Sequence, residues 1–286
     1  MRLLSAVHRW AGGFIGWLLA LLGLTGAILV WEGEWIALPG SGDKVLEDVA
    51  ALAAITNGAE AKGQLSRITF ASDELSLHQL VYADGSGAYV RQSGQVVDHW
   101  ASKWERPELW LFDLHHHLFA GETGEIVAGF AGVAGLLFVV TGLVLWWRSR
   151  RAFKFRLWPA RLAPGAVLSH HRDFGLITMP LLTISLVTGV LMLFAPVRTI
   201  LLGVEQRPKQ IAVVAVDRSV AEVLALAKSL FPEAELRRLT LPEEYDDPVT
   251  IRMRQPFEWT PNGRTQISVG ADGKATVEDA AVANRS

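Results

Sequence analysis

HRWAGGFIGWLLALLGLTGAILVW, residues 8–31, carries no charged side chain between Trp10 and Trp31, and that run decides what kind of protein this is. The hydrocarbon core of a bilayer, about 30 Å thick, takes roughly 20 consecutive apolar residues as a helix. The run meets that length. It is too long for the apolar core of a signal peptide, and no small-residue cleavage site follows it, so it reads as a retained anchor. Residues 126–147 and 174–196 form two further runs of spanning length. Trp10, Trp31, Trp146 and Trp147 stand at the ends of these runs. Amphipathic rings prefer the headgroup level.

Composition agrees. A mean hydropathy of +0.26 beside 20% charged residues means that the apolar residues are clustered. The chain has no cysteine. That removes disulfides, iron–sulfur clusters, thiolate zinc sites, thiol nucleophiles and covalent haem attachment through Cys-x-x-Cys-His. A net charge of -2, with no basic run interleaved with aromatics, excludes a nucleic-acid partner. No H-E-x-x-H or G-x-S-x-G is present, and no G-x-G-x-x-G follows an expected strand. Peptidase chemistry and a built-in nicotinamide or flavin domain therefore have no support.

Charge placement gives an orientation. Residues 148–172 hold seven basic side chains and no acidic one, whereas residues 32–113 hold six basic and thirteen acidic. Arg2 and Arg9 precede the first span. Basic loops stay cytoplasmic. The expected layout is a cytoplasmic tip and first span over 1–31, a periplasmic module over 32–113 and a second span over 114–147. A basic cytoplasmic loop over 148–172 follows, then a third span over 173–196 and a periplasmic module over 197–286. The basic loop reads as a topology signal.

The two outer segments share one plan. A helical pattern over 43–54 precedes strand-like runs at 65–70, 77–82, 88–91 and 95–98, separated by glycine turns. In the tail, Ser219 with Glu222 spells a capping box before a helix ending near Pro232. Runs at 236–241, 249–254, 266–269 and 275–278 follow, the last two turned at Asp272-Gly273. LSRITF and LRRLTL hold the same place after each helix. The expected fold class is a membrane α-helical protein: three transmembrane helices with two small α+β modules outside the membrane.

Histidines carry the functional signal. His8-Arg9-x-x-Gly12 matches His171-Arg172-x-x-Gly175, and Gly26 and Gly189, each after a threonine, lie 18 residues beyond His8 and His171. The first and third spans are copies of one unit, so His8 and His171 belong at one depth. A looser copy precedes the second span: His115, His116 and His117, then Thr141-Gly142. Successive helical residues diverge by about 100°, so these three cannot all face one pocket. Titratable rings at a membrane boundary are functional candidates by default. Two neutral imidazoles facing each other between helices suit a haem iron, ligated from both sides through Nε2. Gly12, Gly16, Gly129, Gly132 and Gly135 would admit close helix packing or a flat macrocycle. His78 and His99 read as ordinary sheet or surface residues.

These motifs resemble the PepSY-associated transmembrane family, which includes iron-regulated inner-membrane proteins of the ferric-siderophore reductase type. The likeness rests on residues 8–31, on LHHHLFAGETGEIVAGFAGVAGLLFVVTGLVLWWRSRR (114–151) and on the HRDFG…LVTG frame (171–189). It implies that the outer modules are PepSY modules and that transmembrane histidines hold haem b, one near each face in the reductase type. By motif position His8 and His171 would be the inner pair, with His170 as alternate. His115, in the L-H-x-x-L position, would be an outer ligand. The family usually carries a further histidine on a fourth span after the second PepSY module; here the sequence runs to Ser286 without one. The resemblance leaves the outer iron's second ligand to His116, His117 or another subunit, leaves one haem only, or makes the sequence a shortened form of the family pattern.

The implied function is an inner-membrane b-type haem protein passing electrons outward to a ferric siderophore or another periplasmic iron complex. Its partners would be membrane lipid and an electron donor, either a quinol or another redox protein, with oligomers allowed. The competing expectation is a membrane-anchored PepSY binding or regulatory module without redox activity, whose histidines are interfacial.

Overall fold

A computed structural model of the chain describes residues 2–194, 197, 200 and 217–283. The expected end of the third span at Pro196, and most of the tail module before Asp217, lie outside them. The described helices are α1 (Arg2–Leu29), α2 (Glu32–Trp35), α3 (Val49–Glu60), α4 (Pro107–His117), α5 (Gly121–Ser149), α6 (Pro164–Leu193), α7 (Val220–Leu230) and α8 (Ala280–Ala283). Eight strands run β1 (Leu65–Thr69), β2 (His78–Tyr82), β3 (Gly87–Val90), β4 (Val96–Trp100), β5 (Glu235–Thr240), β6 (Val249–Arg254), β7 (Thr265–Val269) and β8 (Ala275–Glu278). The chain divides into a helical unit, Met1–Val30 with Trp110–Gly203, and a sheet unit, Trp31–Leu109 with Val204–Ser286.

In the helical unit α1, α5 and α6 are long and apolar enough to cross a membrane, with mean hydropathies of 1.9, 2.3 and 2.2. Small residues bring α5 close to its neighbours. A Cβ at Gly129 would lie 2.8 Å from Phe194, one at Gly132 2.9 Å from Val190, and one at Gly135 3.0 Å from Leu186 and 3.1 Å from Leu19. These three glycines serve helix packing. Gly12 and Gly16 differ, with nothing within 4 Å.

Two boundaries depart from expectation. Residues 114–147 are not one helix: α4 ends at His117, and Leu118, Phe119 and Gly121 adopt φ of 48°, 60° and 56° before α5 begins. A Cβ at Gly124 would sit 1.5 Å from the His117 carbonyl oxygen, so only glycine lets α5 start there. The third helix starts at Pro164, ahead of the apolar run, because proline at the first helical position is already set for helix. His170 and His171 therefore lie within α6.

The basic segment also does more than mark topology. Asp173 is fully buried and accepts from Arg156 Nε and Arg172 Nε, both at 2.8 Å. Arg172 reaches back to the Ala152 carbonyl, also at 2.8 Å. A buried carboxylate needs such partners, and the pairs fasten the 148–163 segment to α6.

The two modules of the sheet unit merge into one antiparallel sheet of order β4-β3-β2-β1-β5-β6-β7-β8. Each half is a helix followed by a four-stranded meander. They join where β1 pairs with β5, Ile68 opposite Leu239, both fully buried. The helices α3 and α7 pack on one another and on this face. Ile251, Met253, Ile267, Val223 and Leu224 fill the common core. Every second residue of β6 and β7 is buried, as a half-covered sheet requires.

The first helix of this unit runs later than the 43–54 pattern indicates. Asp48, not Asp43, caps it by accepting from Ala50 and Ala51 N–H, and it continues to Glu60. The capping box at Ser219 does not close: Ser219 makes no side-chain cap bond, and Glu222 accepts from Asp217 N–H at 2.9 Å instead.

Candidate functional site

The helical unit brings His8 and His171 together. Their ring centroids lie 6.4 Å apart, with planes tilted by 56°. His8 is half-buried, its Nδ1 is 2.8 Å from Thr141 Oγ1 of α5, and Phe138 stands edge-on at 5.8 Å. A Cβ at Gly142 would lie 3.4 Å from His8 Cε1. One turn along from each ring, Gly12 and Gly175 have nothing within 4 Å. The pair therefore opens onto free space along both helices. His170 turns elsewhere, stacking on Phe174 at 5.2 Å.

A second arrangement of the same kind lies at the other end of α1. His115 Nδ1 is 3.1 Å from Thr25 Oγ1, and a Cβ at Gly26 would come within 2.7 Å of His115 Cε1. Thr25 and His8 are separated by about 25 Å of helix rise. Of the three adjacent histidines, His115 engages α1. His116 packs on Phe112 at 4.2 Å, and His117 Nδ1 is 3.2 Å from Asp113. The fold does not bring His115 to His8 or His171.

The threonines give Nδ1 of His8 and of His115 a hydrogen-bond partner on a neighbouring helix. A hydroxyl has one proton to give. Thr25 donates to the Leu21 carbonyl at 2.9 Å, and Thr141 donates to the Leu137 carbonyl at 2.8 Å. With the hydroxyl proton on the carbonyl, each oxygen can accept Nδ1–H from its histidine, the tautomer that leaves Nε2 unprotonated. That nitrogen is the one a metal takes. In sequence the three Thr-Gly pairs mark only repetition; that Thr25-Gly26 and Thr141-Gly142 each meet a histidine of a neighbouring helix appears in three dimensions alone.

The family model for the PepSY-associated TM region matches residues 5–259, which include all eight histidines. The chain belongs to the PepSY-associated transmembrane family. It is a membrane protein with a PepSY-like α+β sheet unit. No curated protein matches the chain significantly.

Within this PepSY-associated chain, no group of three or more His, Cys, Asp or Glu converges as a metal cage among the described residues. Two imidazoles are a fitting donor set for a metal that brings its own macrocycle. Nitrogens about 2 Å from a shared metal would put two ring centroids roughly 6 Å apart, close to the separation of His8 and His171.

The sheet unit holds the two histidines read as ordinary sheet or surface residues, and two carboxylates, Glu108 and Glu32, that sequence reading passed over. His78 is 2% exposed; its Nδ1 accepts from Ala71 N–H at 3.0 Å, and burial pushes it down to about 4. His99 is exposed on β4. Glu108 is buried and accepts from Tyr89 Oη at 3.1 Å and Arg106 Nε at 2.7 Å. Burial, followed by the Glu108 and Glu74 charges, pushes Glu32 up to about 7.

Proposed function

We propose that the chain is an inner-membrane b-type haem protein that passes electrons outward across the membrane. The acceptor is a ferric siderophore or another periplasmic iron complex. The observation that carries this reading is the His8–His171 pair, 6.4 Å apart beside open glycine faces. A bound haem supplies a one-electron carrier, its potential tuned by ligand hydrogen bonding and burial. The protein's own residues do the rest. His8 and His171 present Nε2 from two helices, Thr141 holds His8 in the tautomer that leaves this nitrogen free, and Gly12 and Gly175 leave space for a flat group. His115, held by Thr25, is the ligand of a second, outer haem where one binds, completed by His116, His117 or another subunit.

Orientation follows the basic residues. The N-terminus and the 148–163 segment lie in the cytoplasm and the sheet unit in the periplasm. The donor is a quinol or another redox protein. Acceptor identity rests on family likeness alone.

A pyridine haemochrome assay with oxidised and dithionite-reduced spectra of the detergent-purified chain tests the proposal. One haem b per chain is expected, or two with the outer site filled. His8→Ala or His171→Ala should abolish the inner haem's band, and His99→Ala should leave it intact. Protein expressed with ample haem that binds none would make the chain a membrane-anchored binding or regulatory module, with interfacial histidines.

A further inference from the structure

Three arginines meet on the face of the sheet opposite its core. Arg238 pairs directly with Arg252 across β5 and β6, while across β1 and β5 Thr69 pairs with Arg238 and Arg67 with Thr240. Directly opposed side chains start about 5 Å apart and diagonal ones about 7–8 Å. The alternate residues Ile68, Leu239 and Ile251 are fully buried on the other face. All three arginines are half-buried, and Arg67 Nε is buried without a hydrogen bond. Among the described residues no carboxylate pairs with any of them. Arg237 and Arg254, neighbours on the same strands, do face Glu235.

Like charges directly opposed across strands destabilise a sheet. Burial, with Arg67 and Arg252 nearby, pulls Arg238 down to about 10, so it still carries its proton at neutral pH. Thr250 and Ser268 alongside share a hydrogen bond at 3.0 Å and add neutral polar surface without negative charge. A cluster kept at a cost to stability wants a counter-charge, and guanidinium forks match carboxylate and phosphate oxygens in bidentate fashion. We propose that Arg67, Arg238 and Arg252 form a binding site for an oxyanionic ligand bearing carboxylate or phosphate groups. The site stands independently of the histidine reading.

The test uses the full chain in neutral detergent, titrated calorimetrically with citrate and with inorganic phosphate. Arg238→Gln and Arg252→Gln should each weaken citrate binding at least tenfold, and Lys274→Gln, at the exposed hairpin turn, should leave it unchanged. Thermal unfolding adds a signature that a merely structural role lacks. Without ligand Arg252→Gln should unfold at a higher temperature than the parent, because a repulsion is gone, and citrate should no longer raise that midpoint. Added phosphatidylglycerol that stabilises the parent but not Arg252→Gln, where citrate has no effect, would name a lipid headgroup as the source of the anion. Binding that is insensitive to both arginine substitutions or to added salt would overturn the proposal. So would a parent chain that responds to none of the three probes.

Discussion

The two units of this chain are each built by repetition, and they use it differently. In the sheet unit the repeat is consumed by pairing: β1 meets β5, Ile68 faces Leu239, and the two halves close over one core. In the helical unit the repeated faces stay unpaired. His8 and His171 face each other, yet Gly12 and Gly175 beside them touch nothing within 4 Å. The first arrangement makes a closed core, and the second leaves two imidazoles facing each other beside open glycines. The third Thr-Gly pair sharpens the contrast. Thr188 bonds its own backbone at 2.9 Å as Thr25 and Thr141 do, but Gly189 has no neighbour within 4 Å.

The largest effect should come from breaking the seam where the sheet's two halves meet. Leu239 is fully buried opposite Ile68, so Leu239→Ala should cost about 2–5 kcal/mol. Denaturant unfolding of the purified chain measures it. If the halves were independent modules, only one would lose stability and the transition would split in two. A single destabilised transition supports one shared core.

A smaller effect is expected where the helical unit holds its imidazoles. Thr141→Val keeps the shape and deletes the oxygen 2.8 Å from His8 Nδ1. Loss of such an orienting partner costs about 10–100-fold in metal affinity. Haem retention should fall accordingly and the reduction potential should move, with Thr141→Ser restoring both. Nitrogen-15 spectra of histidine-labelled protein without haem read the tautomer directly. A His8 that stays Nδ1-protonated in Thr141→Val would show that the hydroxyl does not choose it, whether or not haem binds.

How much of this could be read beforehand depends on whether a feature is local. The three spans, eight strands and the His8–His171 correspondence follow from runs, turns and equal spacing along the chain. The break after His117 does not, because Leu118 and Phe119 take left-handed conformations that such residues seldom adopt. Asp43 and Asp48 are equivalent as letters; only the fold shows that Asp48 reaches the free N–H groups of α3. The β1–β5 seam is a pairing of two distant edges, and no local pattern announces it. The arginine cluster follows from that seam, since Arg67 and Arg238 become neighbours only once the halves join.

The smallest effect concerns pH and belongs to the sheet unit, where ionisable groups are buried rather than presented. Glu32 is pushed up to about 7, so folding favours its protonated form, and a penalty develops as pH rises from about 4.5 to about 7. His78 is pushed down to about 4, so the fold keeps it neutral; its contribution is complete above about 6.5 and is lost as pH falls towards 4. The two slopes oppose each other across the shared window and largely offset in the parent chain. Glu32→Gln removes one of them. At pH 8 it should stabilise the protein by about 1–2 kcal/mol, after discounting for partial exposure, and at pH 4 it should change little. Between those limits its stability should climb with pH along the slope that His78 alone imposes. Unfolding midpoints measured from pH 4 to 8 decide the matter: an equal change at both ends would mean that the substitution acts independently of Glu32 ionisation, and that burial does not raise its pKa in the fold.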